Sequence, residues 1–401
     1  MGRPMLLIAR DYPRMVGGIS HYIARAFSSV PREDLVVISH LEPGTSEKEQ
    51  DRRFRVITTG WNAPVLRAGK QAIVPLMVST LRHLARERGY GTVIAEQVQT
   101  AIPAWIAARL LGAKLIIFAY GMEITTSRWR GIKAWMFRRA DRVVTISSYS
   151  RTLLEQLGIP SEYIEIVPPS VGRETFDGAL QMPREEARAR LGIAREARVL
   201  LSVAVLKQQY KGIDTTIRAT SLLRKSYPGL RYFVIGAGPD RYRLEKIAAE
   251  LRLDGHVNFV GPVDDATKGL YYAACDLFML PNRVEHSHGG ERSEGFGIVF
   301  LEAALFGRPS IGGQGGSLDA VLHGMTGLSV SGTSADEVAS AAVSLLDDAQ
   351  LAERLGEAAR RRAEEEFSTA RVSERLAEVC RMESLPSRSR KASALEAPTS
   401  E

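Results

Sequence analysis

The chain predicts an α/β protein built from two successive Rossmann-like domains. Its 401 residues exceed the length at which a single hydrophobic core stops growing. Short apolar runs alternate with longer amphipathic stretches along the whole chain, the pattern of β-α-β units around parallel sheets. That alternation breaks once, at the proline- and charge-rich "PPSVGRETFDGALQMPREE" of residues 168–186, and then restarts.

In the first half "MLLIA", "DLVVIS", "FRVITTG", "GTVIAE", "KLIIFAYG", "RVVTIS" and "IEIVPPS" read as strands, with helices at "GISHYIARAFSSV" and "AIVPLMVSTLRHLARERG". After the break "RVLLSVAVL", "RYFVIGAG", "VNFVGPV" and "LFMLPN" read as strands, and "TTIRATSLLRKSY", "DRYRLEKIAAELRL" and "ATKGLYYAACD" as helices. The pattern predicts an N-terminal domain over 1–175 and a second over 176–366. A helix over 367–384 is expected to pack back on the first domain. The tail at 385–401, "LPSRSRKASALEAPTSE", has little to bury and is expected to be disordered.

Composition excludes some classes. With 45% hydrophobic and 25% charged residues the chain is ordinary globular protein. No stretch approaches the ~20 apolar residues of a membrane span. The apolar run in "MGRPMLLIARDYP" is too short for a secretory signal and reads as the first buried strand. Cys275 and Cys380 show no metal-ligand spacing and fit a reducing, cytoplasmic compartment. The net charge of +7 calls for an anionic partner, whether nucleotide phosphate, lipid surface or nucleic acid. Nucleic acid has the least support, because the basic residues are spread over both halves without a reader module.

Chemistry concentrates in glycine-bearing loops between strands and helices. Gly17 and Gly18 precede a helix, where close backbone approach and free N–H groups favour phosphate, or where a tight turn simply needs glycine. Lys207 and Lys211, in "VLKQQYKG", follow a strand at the sheet edge where open α/β folds bind ligands, although loop lysines are usually just solvated. "VIGAGPDR" lacks the third glycine of a dinucleotide fingerprint and reads as a structural turn. "ERSEGFGIVFLEAALFG" is the most informative stretch. Gly295 and Gly297 bare a helix N-terminus suited to diphosphate, while Glu294 and Glu302 repel phosphate and suit neutral hydroxyls. This arrangement fits a sugar nucleotide, with ribose on Glu302 and the transferred sugar on Glu294. The alternative is a charge near the helix cap and a buried, paired acid. "GGQGG" would wall the same cleft. His286 and His288, in "EHSH", lack a fixed third ligand, so no metal is expected and a loop contact to donor or acceptor is favoured. "TSRWRGIKAWMFRRADRVV" interleaves Trp129, Trp135, Met136 and Phe137 with Arg128, Arg130, Lys133, Arg138 and Arg139. It reads either as a seat on an anionic membrane or as a core-packed helix with a solvated basic face.

The order of the GG loop, "YKG", "VIGAGP", "EGFGIVFLEA", "GGQGG" and "HGMTGL" resembles the retaining glycosyltransferases of family four, which have the GT-B fold of two Rossmann-like domains facing each other across a cleft. The resemblance covers the chain short of its tail and is strongest from Leu200 to Val330. It implies metal-independent transfer of a hexose-type sugar from a GDP- or UDP-linked donor, with retention, to a glycan, glycolipid or small glycoside. No cofactor beyond that co-substrate is implied. By the resemblance Glu294 contacts the donor sugar and Glu302 the ribose. Lys211 and the Gly17/Gly18 loop meet the diphosphate, and the backbone of Phe296, Gly297 and Ile298 lies beside sugar and phosphate. Lys211 and Glu294 are thus the expected catalytic residues. Two positions depart from the family. Val205 stands where many members carry a second, arginine clamp, with Lys207 nearby. Tyr120 stands where many have a histidine, in "FAYGMEI", so Tyr120 and Glu123 are candidate sugar or acceptor contacts. A phosphorylase or sugar-phosphate synthase of the same fold, or a non-enzymatic nucleotide-sugar-binding subunit, are the alternative readings.

Overall fold

A computed structural model of the chain describes residues 3–10, 12, 18–39, 53–59, 73–126, 129–207, 209–287 and 290–382. The positions of Gly17, Arg128, His288 and the 385–401 tail lie outside these residues.

The first domain holds strands β1 (Met5–Ala9), β2 (Leu35–Ser39), β3 (Arg55–Thr58), β4 (Thr92–Ala95), β5 (Lys114–Ala119), β6 (Arg142–Thr145) and β7 (Ile164–Ile166). They form a parallel sheet in the order β3-β2-β1-β4-β5-β6-β7. Helices α1 (Gly18–Ala26), α2 (Ile73–Leu84), α3 (Ala101–Leu111), α4 (Met122–Thr125), α5 (Arg130–Phe137) and α6 (Ser148–Gln156) accompany it. The strands are apolar at nearly every position because both faces of the sheet are covered. Alternate residues go to different cores. Leu6, Ile8, Val93 and Ile117 pack with Ala104, Ala134 and Phe137 of α3 and α5, whereas Leu7, Ala9, Ile94 and Phe118 belong to a cluster that continues through Val167, Val171 and Phe176 into the second domain.

The connection folds as α7 (Asp177–Leu180) and α8 (Arg184–Arg190), anchored to the second domain. Arg188 and Asp276 form a buried ion pair at 2.8 Å, and Asp276 also accepts the Val199 N–H at 2.7 Å. The pair therefore has the extra hydrogen bonding that a desolvated carboxylate needs.

The second domain contains β8 (Val199–Val203), α9 (Ile213–Leu223), β9 (Arg231–Ile235), α10 (Arg241–Glu250), β10 (Val257–Gly261), α11 (Asp265–Ala274) and β11 (Leu277–Leu280). A small antiparallel hairpin of β12 (Glu285–Ser287) and β13 (Gly290–Arg292) follows. Then come α12 (Ile298–Leu305), β14 (Ser310–Gly312), α13 (Ser317–Ala320), β15 (Gly327–Ser329), α14 (Ala335–Asp347) and α15 (Ala349–Glu365). The main sheet is parallel, in the order β10-β9-β8-β11-β14-β15. Its strand order reverses between β8 and β11, the place where such sheets bind ligands beyond their C-terminal ends.

The hairpin is an addition to the strands expected from the sequence, which end at "LFMLPN". Its strands are three residues each, and they gain a partner the local pattern does not show, the first domain. The Thr125 hydroxyl donates to the Glu291 carbonyl, and the Tyr149 hydroxyl donates to the Glu291 carboxylate. The last helix, α16 (Thr369–Arg381), lies against the first domain. The Ser29 N–H donates to the Ser373 hydroxyl at 2.8 Å, the Lys114 ammonium to the Cys380 carbonyl at 2.9 Å, and Arg375 pairs with Glu165 at 2.9 Å. Where the chain crosses to it, the Val171 N–H bonds the Phe367 carbonyl at 2.9 Å, beside a bridge between Val171 and Ser368.

Candidate active site

The loops at the C-terminal ends of the two sheets face each other. On the second-domain side, β8 leads into a turn that carries Lys211. Gly212 follows with φ +71°, and a Cβ there would lie 2.0 Å from the Pro281 carbonyl oxygen, so only glycine lets this turn rest against the end of β11. Arg283 braces the turn. It pairs with Asp214 at 3.0 Å and Glu285 at 3.0 Å, and its N–H donates to the Tyr210 carbonyl at 2.8 Å. Asp214 is held below the usual carboxylate range, because its ties to Arg283 and Arg243 outweigh its burial.

The ammonium of Lys211 is in contact with the Glu294 carboxylate, and both side chains are mostly buried. The sequence-predicted diphosphate ligand and sugar ligand are thus brought together as an ion pair at the mouth of α12. Next to them Gly297 adopts φ +90° and begins α12 with no side-chain cap, so the helix end offers its own N–H groups. Phe296 turns its ring into the core against Phe367 at 5.5 Å and so fixes the turn whose backbone faces the cleft.

Glu302, one turn into α12, is 8% exposed. Its carboxylate accepts the Tyr272 hydroxyl at 2.8 Å and the Lys268 ammonium at 3.2 Å. Lys268 also pairs with Asp265 at 2.8 Å. Burial works against its charge, yet Glu302 and Asp265 together hold it above the ordinary lysine range. Burial and Glu302 raise Tyr272 well above a free phenol, so it stays a donor. From the first domain His21, on α1, faces this group: burial, then Arg25, lowers its pKa, while Asp265 and Glu302 oppose the shift.

His21, Asp265, Lys268 and Tyr272 were not singled out from the sequence. Asp265, Lys268 and Tyr272 follow at i, i+3 and i+7 on one helix face, a spacing that points them at a common partner. For His21 no local signal exists, since its neighbours come from the other domain.

Other expected contacts lie elsewhere. Tyr120 turns its ring into the core, edge-on to Tyr22 at 5.8 Å and stacked on Phe118 at 6.4 Å, so its main chain rather than its side chain meets the second domain. Glu123 likewise turns inward. Its carboxylate accepts the Tyr120 N–H, and burial raises it above the usual carboxylate range. Glu123 is held there because the β5–α4 turn has backbone donors to satisfy, and the nearest acid accepts from them. His286 is exposed and 3.7 Å from Glu291 across the hairpin. Lys207 is exposed, and Val205, at the arginine position, is 64% exposed. No group of three His, Cys, Asp or Glu that could hold a metal ion occurs among the described residues.

The domains approach closely around this site. Gly295 lies so near the first domain that a Cβ there would sit 2.6 Å from the Tyr120 carbonyl oxygen. The Ser148 N–H and hydroxyl both donate to Asp319, across the cleft. The "VIGAGP" turn needs its glycines for packing. Cβ atoms on Gly236 and Gly238 would lie 1.9 and 2.1 Å from the carbonyl oxygens of Ala204 and Leu206.

Comparison with known proteins agrees with this geometry. The family described as Glycosyltransferase Family 4 matches residues 16–174, and that described as Glycosyl transferases group 1 matches residues 183–362. The chain is 29% identical over 386 residues to the GDP-mannose-dependent alpha-(1-6)-phosphatidylinositol monomannoside mannosyltransferase of Mycolicibacterium smegmatis, covering 94% of this chain and 97% of that protein. It is 34% identical over 251 residues to the D-inositol 3-phosphate glycosyltransferase of Thermobispora bispora, covering 60% of this chain and 55% of that one. Among solved structures, sucrose-phosphate synthase from Thermosynechococcus elongatus superposes with a TM-score of 0.78 at 19% identity, covering 98% of this chain and 100% of that one. Anabaena HepE in complex with UDP and glucose superposes with a TM-score of 0.75 at 19% identity, covering 94% and 99%. These are GT-B folds, as the sequence motifs imply. Matched in order through both halves, the chain belongs to the family-four glycosyltransferases and is a glycosyltransferase enzyme.

Proposed function

We propose that the enzyme transfers a mannosyl or closely related hexosyl unit from a GDP-linked donor to a lipid-carried glycoside, with retention and without a metal ion. The observation that carries the reading is the Lys211–Glu294 pair at the open N-terminus of α12, one turn before Glu302. When the donor binds, the Lys211 ammonium exchanges its carboxylate partner for diphosphate oxygen, and Glu294 is released to accept sugar hydroxyls. Glu302, with Lys268 and Tyr272 fixing its orientation, accepts from the ribose hydroxyls.

Two observations favour guanine over uracil. The mycobacterial relative is named as GDP-mannose-dependent. Beside the ribose post, Asp265 keeps a side chain 58% exposed, and a carboxylate can accept both N–H groups on the guanine edge, where uracil offers one.

In the step itself the bond from the anomeric carbon to the phosphate oxygen breaks, and the acceptor oxygen bonds to the same face. The acceptor proton passes to the departing diphosphate. Lys211 and the α12 N–H groups stabilise the charge that develops there. The free, buried thiols of Cys275 and Cys380 fit an enzyme working on the cytoplasmic side of a membrane.

The test is to incubate purified enzyme with GDP-mannose, GDP-glucose, UDP-glucose and UDP-galactose and a phosphoinositol glycoside acceptor, with and without EDTA. Acceptor-dependent GDP release and an α-linked product from the α-linked donor are expected, undiminished by EDTA. A β-linked product, activity with UDP donors alone, or loss with EDTA would each overturn the corresponding part.

A further inference from the structure

The first domain carries a surface that the donor site does not use. Of the four tryptophans in the chain, Trp105, Trp129 and Trp135 lie on α3 and at α5, and Trp61 falls outside the described residues. Trp105 and Trp135 meet edge to face at 5.4 Å, and the Arg139 guanidinium lies over both rings at 5.6 and 4.6 Å. Trp129 (60%), Ile132 (47%), Trp135 (40%) and, on α3, Leu110 (63%) are exposed. The opposite side of α5 is fully engaged, with Ala134, Met136 and Phe137 in the core. The helix is therefore apolar on its outer face as well, where only a partner surface would give those side chains burial.

The segment that carries this face is strongly basic. Between Gln97 and Ala140 the sequence holds seven basic residues and a single acid, Glu123, which is turned inward. Among the described residues Arg109, Arg130, Arg138 and Arg139 pair with no carboxylate. Arg130 and Arg138 donate only to the Gln156 and Leu157 carbonyls, and Arg139 lies on tryptophan. Such a face repels a second copy of itself, because a two-fold contact sets the same arginines against each other. It fits a layer of anionic headgroups over hydrocarbon, where the amphipathic indole ring and the arginine head both find their preferred depth.

We propose that α5 and the adjoining end of α3 seat the enzyme on an anionic lipid bilayer. This deepens the reading of a lipid-carried acceptor, although the binding does not depend on the sugar chemistry. Lys133 links the seat to the site. Its buried ammonium holds the Glu123 carbonyl at 2.7 Å and the Thr126 carbonyl at 2.5 Å, which ties α5 to α4 and thus to the Tyr120–Gly121 turn facing Gly295. The bilayer is thereby set beside the mouth of the cleft.

The test is flotation of full-length enzyme with phosphatidylcholine vesicles, with and without phosphatidylglycerol, at low and high salt. Binding is expected only with phosphatidylglycerol, weakening as salt rises. Arg130→Glu/Arg138→Glu should lower partitioning at least roughly thirtyfold, at about fivefold for each basic residue lost, with the reversed charges adding to it. Trp129→Ala should lower it roughly tenfold. Both variants should keep the wild-type melting temperature and wild-type transfer to a water-soluble acceptor. Absence of binding to phosphatidylglycerol vesicles at low salt, equal binding by the variants, or a dimer in light scattering that the arginine variant dissolves would each overturn the proposal. Vesicle binding by an enzyme with no GDP-sugar turnover would instead refute the donor assignment and leave the seat standing.

Discussion

Gly295→Ala is the sharpest probe of the cleft, because the added methyl group falls between the domains. The Cβ would lie 2.6 Å from the Tyr120 carbonyl oxygen, against 3.4 Å for ordinary contact, so the two loops must separate by about 0.8 Å. The other neighbour, the Ile146 methyl at 3.1 Å, can rotate away, but the carbonyl oxygen is main chain and cannot. Gly295 does not need the left-handed region, so alanine brings no backbone strain of its own. The cost is then that of overpacking alone, about 1–3 kcal/mol of folding stability. A displacement approaching 1 Å between groups that position reactants costs on the order of a hundredfold in rate, so kcat should fall roughly 30- to 100-fold. The assay is steady-state GDP release with saturating donor and acceptor, set beside GDP affinity by calorimetry and a thermal melt. Wild-type kcat in a folded variant would refute the claim that this apposition serves turnover, and a collapsed melting temperature would show a folding role instead.

Further outcomes follow from the other contacts. Lys211→Ala should lower kcat at saturating donor by about 10²- to 10³-fold, as for loss of one stabiliser of developing charge; unchanged turnover would remove Lys211 from the step. Wild-type enzyme should bind GDP about 10- to 100-fold more tightly than 2′,3′-dideoxy-GDP, and Glu302→Gln should erase most of that preference, which equilibrium binding can read directly. His21 has a pH signature. Burial and Arg25 hold its folded pKa below the ordinary 6.5, so the unfolded chain takes up the proton first as pH falls. Its contribution to stability is then complete above pH 6.5 and is lost as pH drops through the lowered folded value. Urea midpoints between about pH 7 and pH 5 should decline less for His21→Asn than for wild type; parallel declines would show that His21 is not the group responsible.

Much of the fold was legible because its strands are covered on both faces and write themselves as unbroken apolar runs, such as "KLIIFA" and "LFML". The three-residue β12 and β13 were not, since polar strands that short carry no periodicity and are held by Thr125 and Tyr149 of the other domain. At the site, the glycines and acids of "EGFGIVFLEA" marked a helix mouth correctly because main-chain geometry there is local. The sequence could not show that Lys211 and Glu294 meet as a pair, nor that Glu302 is oriented by Lys268 and Tyr272, as each contact spans separate elements. The packing of Tyr120 and Glu123 was not legible for a related reason. Their types suit sugar binding, but the turn they occupy consumes one in backbone hydrogen bonding and the other in aromatic packing.

The chain passes between the domains twice, and the two passages touch at Val171, Phe367 and Ser368. Two crossings tied together at one place hold the domains close there and leave the cleft side to contacts between loops. The approach of Gly295 to Tyr120 and the reach of Ser148 to Asp319 therefore both depend on how the domains are set at that joint.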